Sequence, residues 1–366
     1  MSRIWAADSA PTLADVALAA GVSTATASRA LNGSDRRVAD ASRKKVEAAA
    51  RWLGYTPHAL AQATVRGASS LISLIVSDLA DPYFGQIAAG VTHAAEKAGF
   101  IVSVAITERD PDRELRVIRA LRGQRPRVVI VAESRTTDAE GRAVQREIDA
   151  LERWGSRVVI IGTGLRDRPA VAIDNRGGAE ALGRAMARLG YRRAIVLAAT
   201  SGIATSDDRE GGFGEGFVQG GGAVIAVHRG EFSRDSGAAL MSHELAGGVA
   251  GGTLVFAVSD SMAIGAMAAV RGAGREVGTD VAICGFGDTP VNQDLMPGLT
   301  TVRIPLTALG RLAVCAGLEQ HWPADSPSLP FDVVVRGSTP RVMPLPGIRG
   351  LPNTAGSGGE LDHLHA

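Results

Sequence analysis

The side chains in this 366-residue sequence that could do chemistry are suited to recognition rather than to catalysis. Its seven histidines are scattered, none at metal-ligand spacing with a cysteine or a carboxylate pair, and no Ser-His-Asp arrangement emerges. The two cysteines, Cys284 and Cys315, lie in apolar contexts, which argues against a disulfide framework or a metal cluster. Two polar groupings remain. GVSTATASRALNG (21–33) crowds Ser, Thr and one Arg onto an Ala-rich stretch, and further along apolar runs end in Ser77-Asp78, Ser259-Asp260 and Gly287-Asp288. Hydroxyls and a guanidinium on a slim helix suit the major groove of DNA. Polar residues at the ends of buried strands suit a small ligand.

The bulk numbers frame both. A chain of this length holds two or three domains. With 45% hydrophobic and 21% charged residues it is a soluble globular type, and its 45 glycines fit many tight strand–helix turns. No apolar run approaches the ~20 residues of a membrane span, and Asp8 and Asp15 interrupt any signal-like pattern, so a reducing cytoplasm is the expected compartment. Net charge is only +1, but residues 1–68 carry nine basic against five acidic side chains. A basic head on a near-neutral body is the charge arrangement of a tethered nucleic-acid reader.

Three short helices position the first grouping. Thr12 and Asp15 fit a capping box that starts a helix ending at Gly21. Ser23 can cap a second helix running to about Leu31, with Ala27, Ala30 and Leu31 inward and Thr24, Ala25, Ser28 and Arg29 outward. A third helix spans about Asp40 to Leu53, with Gly54 beyond its end and Arg43, Lys44 and Lys45 in its first turn. Two helices joined by a Gly-x-Ser turn with a third across them make a helix-turn-helix unit.

TLADVALAAGVSTATASRALNG and the following LGYTPHALAQ resemble the lactose/galactose-repressor (LacI/GalR) family of bacterial transcription regulators. The resemblance implies that Leu13, Ser23, Thr26, Ser28 and Asn32 hold the unit on phosphates, and Arg37 is a further DNA-binding candidate. It also implies that Thr24, Ala25 and Arg29 read base edges, with Arg29 set for a bidentate contact to guanine. Residues 58–66 take the place of the family's hinge helix, which orders in the minor groove; Leu60, Ala61 and Thr64 would lie on DNA there. Thr64 stands where a wedging Leu is usual, and a Thr is a poor wedge.

From residue 71 the texture changes to buried strands alternating with helices, the pattern of parallel sheets covered on both faces. Nine strands are read, at 71–78, 100–107, 127–133, 157–163, 170–174, 193–199, 222–230, 253–260 and 281–288. The fold class expected is an N-terminal all-α helix-turn-helix head plus an α/β body of two doubly wound parallel-sheet lobes, similar to periplasmic sugar-binding proteins. ADPYFGQIAAGVTHAAEKAGF (80–100), DNRGGAEALGRAMARLGYRRAIVLA (174–198), FAVSDSMAIGAMAAVRGAGREVGTDVAICGFGD (256–288) and LTTVRIPLTALGRLA (299–313) carry the resemblance through the body. By it, Arg209, Phe232 and Asp260 hold an effector between the lobes, Asp81, Tyr83 and Phe84 line the first lobe's side, and Asp288 is a further candidate. Alternative roles stay open for two of them: Asp260 as a helix cap and Phe232 as core. Gly162 stands where many relatives place a charged ligand contact.

The domains expected are a head at 11–57, a hinge at 58–68, a core at 69–343 and a disordered tail at 344–366. Within the core, lobe 1 takes about 69–173 and 300–331, and lobe 2 takes about 174–299 and 332–343. Operator DNA, a small-molecule effector (sugar or sugar derivative first) and a second copy of the chain are the expected partners, with no membrane, no metal and no cofactor. Two other classes compete. A nicotinamide-dependent oxidoreductase would rest on Gly162-x-Gly164 or on GFGEGF (212–217), but the first lacks a third Gly and the second does not follow a strand. A sugar-binding protein without DNA function leaves the basic head unexplained.

Overall fold

A computed structural model describes residues 10–32, 38–56, 69–132, 139–162, 168–323 and 329–342. The expectations for Arg37, Leu60, Ala61, Thr64 and the segment from 344 onward fall outside these residues, as does the side chain of Asn32.

The head is built from α1 (Leu13–Ala20), α2 (Thr24–Asn32) and α3 (Asp40–Leu53). Thr12 and Asp15 form the capping box: Thr12 N–H donates to the Asp15 carboxylate at 2.9 Å, and Asp15 N–H donates to Thr12 Oγ1 at 3.4 Å. The Thr12 hydroxyl, which also donates to that carboxylate at 2.6 Å, and the Thr12 N–H together hold the Asp15 carboxyl below the ordinary carboxylate range. Gly21 and Gly54, both left-handed, end α1 and α3. Val16, Ala17, Ala27, Val46, Ala49 and Ala50 form the small core. The alanines let three short helices approach closely.

The body contains two parallel sheets. The first runs β2-β1-β3-β4-β5, from β1 (Leu71–Val76), β2 (Ile101–Ile106), β3 (Val128–Ala132), β4 (Arg157–Ile161) and β5 (Ala170–Val171). The second runs β7-β6-β8-β9, from β6 (Arg193–Ala199), β7 (Ala223–Gly230), β8 (Thr253–Ala257) and β9 (Val281–Cys284). The central strands β3 and β8 are buried along their whole length and mostly apolar, because helices cover them on both faces. Two short strands missed from the sequence, β10 (Thr301–Arg303) and β11 (Asp332–Val334), form an antiparallel pair.

The helices of the body are α4 (Pro82–Lys97), α5 (Pro111–Gln124), α6 (Ala139–Arg153), α7 (Asn175–Arg188), α8 (Ala204–Gln219), α9 (Arg234–Gly247), α10 (Asp260–Gly272), the single turn α11 (Val291–Asp294) and α12 (Leu306–Leu318). α12 comes after the second sheet in sequence but packs on α4, β3, β4 and β5 of the first. Gly90 and Gly310 make that packing close: a Cβ at Gly90 would stand 2.1 Å from the Thr307 carbonyl oxygen, and one at Gly310 2.2 Å from that of Ile87. GFGEGF lies within α8, where Gly212 and Gly216 meet the backbone of α7. It is a helix-packing seam, not a phosphate loop. No helix among the described residues is long and apolar enough to cross a membrane.

Candidate functional site

In the head, Thr24, Ala25 and Arg29 are exposed on α2, while Ala27 on the same helix is buried. The reading residues thus share a face of the head that the core leaves free. Ser23 caps α2, accepting from Thr26 N–H at 3.1 Å, and its hydroxyl lies 2.8 Å from that of Thr26. Leu13 packs against the head core. At the start of α3, Arg43 pairs with Asp40 at 2.8 Å, which offsets part of the unfavourable placement of cations at a helix N-terminus.

In the body, the C-terminal ends of the strands of both sheets open onto one cavity, of about 670 Å³ counting its mouth. Its walls include Ser77, Asp81, Tyr83, Phe84 and Arg109 from the first lobe, and Thr205, Arg209, Phe232, Ser259, Asp260, Phe286 and Thr289 from the second. Asp81 caps α4 by accepting from Tyr83 N–H at 2.9 Å, which aims the Tyr83-Phe84 pair, in edge contact at 5.3 Å, at the cleft.

Arg209 projects from α8 and is 2% exposed. Its Nε donates to Asn175 Oδ1 and its Nη1 to the Val258 carbonyl, each at 2.9 Å, and its guanidinium lies over the Phe286 ring at 3.9 Å. Burial pushes its pKa down, opposed by the Tyr83 phenol across the cleft. Burial likewise pushes the Tyr83 phenol up, with Arg209 opposing. Asp260 is 3% exposed, at the first turn of α10. Ser259 caps that helix, accepting from Met262 N–H at 3.2 Å, so the capping role open for Asp260 belongs to its neighbour. The Asp260 carboxylate instead accepts from Thr301 Oγ1 at 2.6 Å and Thr289 N–H at 3.1 Å. Burial raises its pKa against those two bonds. Phe232 is partly buried against the core, yet its ring lines the cavity with the Arg109 guanidinium 5.1 Å from its centroid.

Six of the seven residues expected here therefore share one cavity. Asp288 does not line it: Arg303 Nε donates to its carboxylate at 2.6 Å, and Arg336 stands 2.8 Å from the other oxygen. Two cations already face that carboxylate, so in this structure Asp288 sits in an ion cluster beside the cavity and not on its wall. Arg109 and Phe286 were missed. Arg109 lies three residues past β2, where the strand-end rule applied to Ser77 would have found it; Phe286 was hidden as one more aromatic in an apolar run.

Known proteins show the same organisation. Residues 12–58 match the description "Bacterial regulatory proteins, lacI family", and residues 184–339 match "Periplasmic binding protein-like domain". The HTH-type transcriptional regulator GalR of Escherichia coli (strain K12) is 30% identical over 306 residues, covering 82% of this chain and 87% of GalR. The chain belongs to the LacI family. This LacI-family chain is a DNA-binding transcriptional regulator, and its relatives are regulators rather than enzymes. The crystal structure of the Lac repressor dimer bound to operator and an anti-inducer superposes with a TM-score of 0.75 at 26% identity, covering 91% of this chain and all of that one. A CelR–cellobiose complex superposes at 0.61 with 30% identity, covering 90% and 99%. The α/β body and its two sheets are thus the family's fold.

Proposed function

We propose that this regulator is a cytoplasmic, homodimeric repressor of a carbohydrate uptake or catabolism operon, controlled by a small polar effector bound between its lobes. In this reading the head (11–57) binds operator half-sites through Arg29, Thr24 and Ala25, the hinge (58–68) lies over the operator centre, and the core (69–343) binds effector and partner copy. The observation that carries it is the interlobe cavity, in which Arg209 and Asp260 of one lobe stand opposite Asp81 and Tyr83 of the other. A ligand touching both sides makes different contacts whenever the lobes turn, which is what a switch requires. A guanidinium and a carboxylate supply charge-assisted donors and acceptors for hydroxyls, and Phe232 offers an apolar face for a sugar ring. The cellobiose bound by the related CelR supports a saccharide. Edge strands β2 and β7 support the dimer, since each exposes apolar residues, with Ile101 at 69% and Ile225 at 44%.

Thermal-shift screening of the full chain against sugars, sugar phosphates and nucleobases tests the reading. A ligand at 100 times its Kd adds about 2.7 kcal/mol of stability. At least one saccharide is expected to raise Tm, and Asp260→Ala to remove that rise while leaving the unliganded protein folded. A shift that survives Asp260→Ala, or none from any saccharide, overturns it.

A further inference from the structure

Asp288 lies in a loop whose next residue, Thr289, lines the cavity, but its own side chain turns to two arginines instead. It follows the C-terminal end of β9 with a left-handed backbone (φ 57°), and its side chain is 5% exposed. Arg303 ends β10; Arg336 follows β11. Arg303 donates to one carboxylate oxygen of Asp288, while Arg336 makes an ion pair with the other at an angle short of a hydrogen bond. Arg336 Nη1 also donates to the Leu299 carbonyl at 2.7 Å.

These two arginines mark two of the passages between the lobes. After Arg303 the chain enters α12, which packs on the first sheet; with β11 it comes back to the second-lobe side, where Ser338 donates to the Ile283 carbonyl. The loop carrying Asp288 is stitched to the outgoing passage by Gly287 N–H to Val302 (2.8 Å) and Ile304 N–H to Gly287 (3.3 Å). The same loop holds the cavity's carboxylate, through Thr289 N–H to Asp260, and Thr301 of β10 holds its other oxygen. These two passages and the cavity's carboxylate therefore meet within residues 287–289. A desolvated carboxylate between two cations is a poor way to stabilise a turn, and a left-handed backbone, though mild for Asp, still costs more than it would at glycine. An arrangement with both costs is better explained by geometry it enforces than by stability.

We propose that Asp288 is a positioning residue: by clamping both crossings to the loop that holds Asp260, it fixes the pivot about which the lobes turn. This rests on the reading that lobe movement is the switch, but its test needs no effector. Nitroxides at Lys97→Cys in the first lobe and Ser242→Cys in the second, in a Cys315→Ser background of the full chain, report the interlobe distance distribution by electron–electron resonance. Asp288→Asn keeps a side chain that tolerates the left-handed backbone and removes the charge. It is expected to widen the distribution about twofold with unchanged far-UV circular dichroism. A distribution identical to the parent's, even with a lowered Tm, overturns the proposal and leaves the cluster purely structural. Arg303→Gln, at a side chain 51% exposed, leaves the Arg336 pair intact and is expected to widen the distribution less. Should Asp288→Asn not fold, Arg303→Gln decides alone, and an unchanged distribution there is equally fatal. A failed effector screen would leave these measurements standing.

Discussion

Arg29 and Arg209 show how burial assigns different work to one residue type. Arg209 is locked among Asn175, the Val258 carbonyl and the Phe286 face, so its remaining donors point with little freedom into the cavity. Arg29 is exposed on α2 with its fork available to an incoming base pair. Ala25 beside it offers only a methyl group, so discrimination concentrates on one side chain. A bidentate Arg–guanine contact is worth about 1–3 kcal/mol, or roughly 5–150-fold in affinity. Arg29→Ala is expected to lose that much on an operator selected from random DNA by the full chain, while effector-induced thermal shifts persist. Arg29→Lys should recover little, because an ammonium is a point charge without the planar fork. Fluorescence anisotropy at fixed salt reads both; unchanged affinity in Arg29→Ala would sink the assignment.

At the scale of elements, close helix contact carries the body, and glycine permits it. A Cβ at Gly90 meets the backbone of Thr307 on α12, which cannot rotate aside as a side chain can. Overpacking of this kind costs about 1–3 kcal/mol, or a Tm lower by roughly 2–12 °C in a unit of this size. Gly85 on the same helix has open space where its Cβ would go. Gly90→Ala is therefore expected to lower Tm in a thermal melt, and Gly85→Ala to leave it unchanged or raise it, since Ala favours helix by about 1 kcal/mol. Equal effects would show that packing is not the cause. Long periodic elements such as α3 and the buried central strands were legible in the sequence because one pattern, repeated over many residues, fixed them. β10 and β11 were not, because three residues are too few for an alternation, and their pairing partners lie some thirty residues apart. Asp260 and Arg209 could be placed at the cleft from their motifs. The clamp on Asp288 could not, since Arg303 and Arg336 meet it only through the folded crossings.

For the whole molecule, both sheets repeat the order second-first-third-fourth, leaving β2 and β7 as corresponding edges. If a second copy packs on them, Ile101→Asp introduces a charge into an apolar contact and is expected to shift the full chain toward monomer in sedimentation velocity. A sedimentation profile like the parent's would exclude that edge from the interface.

The larger consequence is thermodynamic. In the function proposed above, effector and operator bind to different parts of one chain, so the influence of one on the other is a coupling between two sites. Linkage then requires reciprocity: the factor by which saturating effector changes operator affinity must equal the factor by which saturating operator changes effector affinity, in the same direction. The coupling expected is about 1–3 kcal/mol, roughly 5–150-fold each way. Titrating operator with and without effector, and effector with and without operator, at one salt concentration closes the cycle. Salt must be held fixed because phosphate contacts by the basic head make DNA affinity fall steeply with ionic strength. Two equal factors different from one would establish the coupling, whichever its sign; a factor of one on both sides would show that the cavity and the head do not communicate.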